Sequence, residues 1–194
     1  MRRRFRGAIA GVGTTSGVRV VLGRWDRSPY GAFADAMVET AAGHRVLLAP
    51  TTEVADFVAS TYSFDEVRIE PITVDAWEVS SPSLGLRLEV GRRTALGRLL
   101  RIVPGPLAQS PAWCSLTDPA ARLLLRGVRT RGSAGNARRE WYGATDHHAV
   151  TAVAGAFDGA DLGRLAPVSP SPRFGFSSTP SRPSVTTVVT TVAS

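Results

Sequence analysis

Residues 5–22 read FRGAIAGVGTTSGVRVVL, and how this stretch folds decides the class of the whole chain. Between Gly11 and Gly17 it carries the spacing G-x-G-x-x-x-G, which taken alone suggests a phosphate-binding loop. Loops of that kind hand the anion to the N-terminus of a following helix. Here Val18-Arg19-Val20-Val21 follows, and its β-branched content specifies a strand. The stretch is therefore predicted to be a hairpin, with strands at 5–12 and 18–22 around a Gly-Thr-Thr-Ser-Gly turn. That reading favours a β-rich fold over a nucleotide-binding α/β one.

Working outward, the alternation continues. Leu84, Leu86, Leu88 and Val90 alternate with Gly85, Arg87 and Glu89, the pattern of a strand with one wet face. Residues 33–39 and 44–48 make a second hairpin joined through Ala41-Ala42-Gly43. Shorter alternations at Val67 and Ile69, then Ile72 and Val74, flank Pro71, which marks a strand end or bulge. Residues 149–157 are apolar and strand-like. Residues 185–192 alternate Val with Thr on both faces, as an edge or closing strand would.

Two helices stand out. In 51–60, Thr51 or Thr52 caps, and Val54, Phe57 and Val58 form a stripe to bury. In 94–103, Leu96, Leu99, Leu100 and Val103 fall at i, i+3, i+4 and i+7, with Arg92, Arg93, Arg98 and Arg101 around them. That helix is predicted to pack on a sheet, although a basic amphipathic helix also suits a membrane or nucleic-acid surface. Residues 106–119 are predicted to be a loop or short helical turn carrying Trp113. Residues 120–128 fit a strand or a short helix equally, and 169–183 form a Pro/Ser-rich linker or surface loop. The expected fold is mainly β with two to three helices (α+β). It is an antiparallel β-barrel or two packed sheets, with helices covering an opening or edge, in one domain over 1–194.

Composition narrows the chemistry. All 23 basic residues are arginine, so no Schiff-base lysine exists. Abundant Ala, Gly, Val and Arg beside absent Lys matches a high-GC coding bias. Of the net charge of +7, Arg2, Arg3, Arg4 and Arg6 supply four. They are read as a basic cluster leading into the first strand. The Gly-rich sequence after them, stopped by Arg19, does not fit a twin-arginine export signal. No run approaches the ~18 apolar residues of a membrane span, and a cytoplasmic location is expected. Cys114 is the single cysteine, which excludes an internal disulfide and a Cys-rich zinc site. Its apolar neighbours predict a buried, inert thiol.

The polar chemistry concentrates in residues 126–148, RGVRTRGSAGNARREWYGATDHH. Arg129 and Arg131 precede a Gly-Ser-Ala-Gly-Asn loop, and Arg138 and Arg139 follow it, an arrangement suited to clamping an anion bidentately. In an extended run Arg138, Glu140 and Tyr142 share one face, while Arg139, Trp141 and Gly143 share the other. A pocket on the first of these faces would hold an acid or base, a phenol and a cation. Asp146, His147 and His148 add groups that titrate near neutral pH. Adjacent histidines on a strand point to opposite faces, so no metal site is expected, and no cofactor. The candidate catalytic residues are Glu140, Asp146, His147 and His148. The candidate ligand-binding residues are Arg129, Arg131, Arg138, Arg139, Trp141 and Tyr142. The plain alternative is a solvated hairpin with arginines on its surface.

The segments SPYGAFADAMVE, HRVLLAP, FVASTYSFDEV and RGSAGNARREWYGA resemble an uncharacterised family of high-GC actinobacteria, a likeness that implies no activity. Ser28-Pro29-Tyr30-Gly31 before a strand is similar to acetoacetate-decarboxylase-like β-folds over those few residues, yet the missing lysine excludes that chemistry. The leading expectation is a domain that binds a small anionic or polar-headed molecule. The alternatives are a non-lysine acid/base enzyme on the same pocket and a nucleic-acid or protein interaction module using the arginines. Homo-oligomerisation stays open.

Overall fold

The structure, a computed structural model, describes residues 2–124, 128, 130–133, 139–175 and 179–193. The 5–22 hairpin is present as β1 (Arg2–Thr14) and β2 (Arg19–Arg27). Its turn closes through Gly17, whose φ of +84° a glycine adopts without strain. The arginine cluster is not an arm before the strand but its first turn of ladder, paired residue for residue with the far end of the chain. The chain continues through β3 (Phe33–Glu39), β4 (Arg45–Ala49), α1 (Thr52–Ala59), β5 (Glu66–Ile69), β6 (Thr73–Asp75), β7 (Glu78–Ser80) and β8 (Leu84–Arg93). Helices α2 (Ala95–Ile102), α3 (Gly105–Ala108) and α4 (Pro111–Leu124) follow. The last strands are β9 (Arg131–Ser133), β10 (Arg139–Phe157), β11 (Ala160–Asp161), β12 (Leu165–Ala166) and β13 (Ser184–Ala193).

These strands form one sheet, ordered β5-β4-β3-β2-β1-β13-β10-β8-β7-β6, curled into a half-barrel. All pairings but one are antiparallel; β4 and β5 run parallel across the α1 crossover. Register shifts at Arg6/Gly7 and Ala144/Asp146 mark bulges that bend the long strands β1 and β10. Inside the curl lies the main core, where Ala8, Ala10, Val12, Leu22, Ala36 and Val38 face Leu84, Leu86, Leu88, Val150 and Phe157. On the opposite face of β3 and β4, helix α1 buries Val54, Ala55 and Val58 against Leu47 and Ala49. Thr51 is the cap, its Oγ1 accepting from the Val54 amide at 3.3 Å.

Four expectations are revised or narrowed. First, of the two alternatives for residues 185–192, edge or closing strand, β13 takes the closing role, because it pairs with β1 on one side and β10 on the other. Second, 106–119 is helical: α4 begins at Pro111, where a missing N–H costs nothing, and continues through Pro119. Third, α2 packs on the sheet but buries its stripe only in part, with Leu96, Leu100 and Val103 half-buried. It meets β10 through Gly97, where a Cβ would come within 2.3 Å of the His147 carbonyl, and Leu99 is left exposed. Fourth, the 169–183 stretch is more than a surface loop, since Pro172, Phe174 and Thr179 are buried.

A buried ion pair holds that last segment down. Arg19 Nη2 lies 2.8 Å from Glu39 Oε1, both side chains nearly inaccessible, and Glu39 Oε2 accepts from the Arg173 amide at 2.7 Å. Removing one partner strands the other charge in a dry site, which costs about 3–5 kcal/mol. Glu39→Ala is expected to lower the unfolding free energy by that amount in urea titration.

Candidate functional site

The site grows from the outer face of β3, the face opposite the main core. In FADAMVE, Ala34, Ala36 and Val38 point into the curl, so Phe33, Asp35 and Met37 point outward, toward α1. Asp35 is nevertheless buried, and its Oδ1 accepts from Trp25 Nε1 at 2.8 Å. Gly23 makes that contact fit: a Cβ there would lie 2.5 Å from Oδ1 and 2.6 Å from Nε1. Burial pushes the Asp35 carboxyl up to about 7, against the opposing effect of the indole hydrogen bond.

A second acid approaches from β10. Glu140 and Tyr142 share one face of that strand, and Tyr62, just past α1, reaches them across the sheet. Tyr142 donates to Glu140 Oε2 at 2.8 Å and Tyr62 donates to the same oxygen at 3.1 Å, while the two phenol oxygens also touch each other. Burial, and then the charge of Glu140, hold both phenols well above their ordinary pKa. They are donors at any physiological pH.

Two adjoining cavities, about 140 and 70 Å³, open beside these groups and share Ile9, Val21, Met37, Tyr62 and Tyr142 as wall. The larger is roofed by Pro172, Phe174 and Pro180 of the segment that Glu39 anchors. The smaller holds Asp35, Glu140 and Trp25. Hydroxyl residues stand in the lining of these otherwise apolar spaces. Thr179 Oγ1 and Ser184 Oγ around the larger cavity and Thr190 Oγ1 around the smaller are buried without a hydrogen-bond partner. Native proteins seldom leave such atoms unpaired, because each costs about 1–3 kcal/mol.

Of the residues expected at the site, the structure brings Glu140 and Tyr142 to the cavities. Trp141 lies on the other face of β10, half-buried, and Arg131 and Arg139 are exposed. Asp146 is held by Arg93 in a bidentate pair at 2.8 and 2.9 Å, which lowers its carboxyl to about 2. His147 is buried beneath α2 with Nδ1 2.9 Å from Thr94 Oγ1, and burial lowers its pKa. His148 points the other way, its Nδ1 donating to the Gly91 carbonyl at 3.2 Å beside a separate cleft with Arg24, Asp26 and Trp77. Arg129, Arg138 and the loop 134–138 lie outside the described residues. Cys114 is buried, with its thiol pushed up to about 11, and no group of metal ligands occurs among the described residues.

Sequence reasoning missed Asp35, Tyr62 and Trp25. Asp35 did leave a trace, since it is the one charged residue inside a strand whose two faces are otherwise apolar. Nothing local ties Tyr62 to Tyr142, 80 residues away. No family model matches the chain, and neither a curated protein nor a solved structure matches it.

A carboxyl whose folded pKa lies above the ordinary ~3.9 keeps its proton after the unfolded chain has lost it. Its stabilising effect is therefore complete below about pH 4 and is lost as the pH climbs toward 7. Asp35→Asn still offers the indole an acceptor and cannot ionise. The variant is expected to flatten stability across that window and to gain on the order of 2–4 kcal/mol above pH 7. Urea titrations at several pH values check this, and an undiminished slope would mean that Asp35 is hydrated.

Proposed function

We propose that the chain binds a small molecule with an apolar body and an uncharged polar head in the paired cavities. The observation that supports this most is the pair of apolar cavities walled by the phenols Tyr62 and Tyr142, with the hydroxyl residues Thr179, Ser184 and Thr190 in their lining. Such walls desolvate an alkyl or ring body, and fixed donors and acceptors orient its head. The arginines suggested an anionic head, but no arginine among the described residues lines either cavity, whereas two carboxyls line the smaller one. A carbonyl or hydroxyl fits those neighbours without bringing like charges together.

A second reading rests on Asp35. A carboxyl that ionises near pH 7 in an apolar cavity, with phenol donors nearby, is suited to proton transfer next to a carbonyl. Asp35 as carboxylate takes the proton from the carbon adjacent to the carbonyl. The C–H electron pair becomes the new carbon–carbon double bond, and the carbonyl pair moves onto oxygen. The enolate oxygen accepts from Tyr62 or Tyr142, and the proton returns from Asp35 to carbon.

Binding is tested by thermal unfolding with 2-octanone, 1-octanol and octanoate, one body with three heads. A ligand at a hundred times its dissociation constant contributes about 2.7 kcal/mol, a rise of roughly 5–10 °C for a chain of this size. The ketone or alcohol is expected to give that shift, and Tyr142→Phe to weaken binding about tenfold. A shift with octanoate alone would return the case to the arginines. The proton-transfer reading predicts deuterium exchange into 2-octanone that rises with pH through about 7 and vanishes in Asp35→Asn. Binding without exchange leaves a binding protein.

A further inference from the structure

We propose that helices α2 to α4 form a surface that docks on an anionic lipid bilayer. Six large hydrophobic side chains are exposed among the described residues, and four belong to these helices: Leu99 at 62%, Ile102 at 78%, Leu107 at 45% and Leu116 at 72%. The cause lies in how α2 is seated. Because Gly97 is the residue pressed against the β10 backbone, the ridge of Leu99 and Ile102, three residues apart, turns outward. Arg98 and Arg101 form the neighbouring ridge and are exposed as well.

Arg92, Arg98, Arg101 and Arg131 are exposed among the described residues of this part of the chain, while Arg93 is held by Asp146. From Arg92 to Arg131 the sequence holds eight arginines and one acid, Asp118, a net +7 that equals the charge of the entire chain. The remaining fifteen basic residues are balanced by fifteen acids. Asp118 is buried and accepts from the Thr130 amide at 2.9 Å, and from β10 Asp146 pairs with Arg93. Arg4 and Arg6 add to the patch by reaching Gln109, at 3.2 and 3.5 Å, between α3 and α4.

Exposed leucine and isoleucine set among arginines match a bilayer surface in both respects. The apolar tips enter the acyl boundary, and the guanidinium groups stay at the headgroups on flexible stems. A nucleic acid would satisfy the arginines but offers nothing to Leu99, Ile102 and Leu116, which cannot stack on bases. A second copy of this chain would satisfy the apolar ridge but set +7 against +7. The arrangement thus favours lipid.

The test is flotation with vesicles of pure phosphatidylcholine or of phosphatidylcholine mixed with phosphatidylglycerol, and a DNA duplex as competitor. The protein is expected to float with the anionic vesicles only. Each arginine at such a surface contributes roughly fivefold to partitioning, so Arg98→Gln with Arg101→Gln should reduce it about 30-fold. Leu99→Ser with Ile102→Ser should reduce it at least about tenfold. Leu116→Ser, on a different helix, is expected to lower it as well. These side chains are exposed, so the thermal midpoint is expected to stay unchanged. Equal binding to both vesicles, or no binding to either, overturns the proposal. So does anionic binding that survives loss of the Leu and Ile side chains, or binding to DNA in place of vesicles.

Discussion

Backbone pairing on both sides of β13 is the constraint on which the architecture depends. Residues 184–193 form one ladder with β1 and another with β10. Without that strand, no ladder among the described residues would join the meander from β1 to β5 directly to β8 and β10. A strand paired on both edges and covered on both faces has to be free of charge, and SVTTVVTTVA is. Its paired order, Val-Val then Thr-Thr, gives each face both residue types. Ser184, Thr186, Val188, Thr190 and Val192 all line the cavities. The strand that joins the sheet is thereby also the one that places hydroxyl residues in the lining of the candidate site.

A dry face bearing two carboxyls is costly, and the local chemistry shows how the cost is limited. Glu140 collects two phenol donors on one oxygen. Asp35 has the indole of Trp25 and shifts toward its neutral form. At one end an aromatic cluster closes the space, with Phe5 stacked on Phe57 at 4.9 Å and edge-on to Trp25 at 5.7 Å. At the other end the 169–183 segment closes it, fastened by the Glu39 carboxylate. Polar groups retained against their desolvation cost are what make this face the candidate site.

Local chemistry made much of this fold legible. The 5–22 hairpin follows from a glycine turn between β-branched runs, α1 from the threonine before its apolar stripe, and β8 from strict alternation. Long-range pairing decided the rest. Val-Thr alternation on both faces left edge and closing strand open, and only partners more than thirty residues away make β13 central. Pro119 and Leu123-Leu124-Leu125 obscured α4. For α2 the period was correct, but the seam was set by the close approach of Gly97 to His147, so Leu99 and Ile102 face outward while Leu96, Leu100 and Val103 are half-buried. The 126–148 stretch did contain half of the buried acid cluster, through Glu140 and Tyr142. Its His147 packs under α2, His148 faces a separate cleft, and Asp146 forms an ion pair with Arg93. Asp35 and Tyr62 join the site only through the curl of the sheet.

The central claim is that the outer face of β3 and β10 encloses a dry cavity whose acids are poised for an uncharged ligand. A ¹³C NMR titration of the aspartate side-chain carboxyls, with and without 2-octanone, tests it most directly. The account predicts one carboxyl, assigned to Asp35 by its loss in Asp35→Asn, with a midpoint near 7 that moves when the ketone is added. Aspartates that all titrate at or below about 4, unaffected by the ketone, would contradict it.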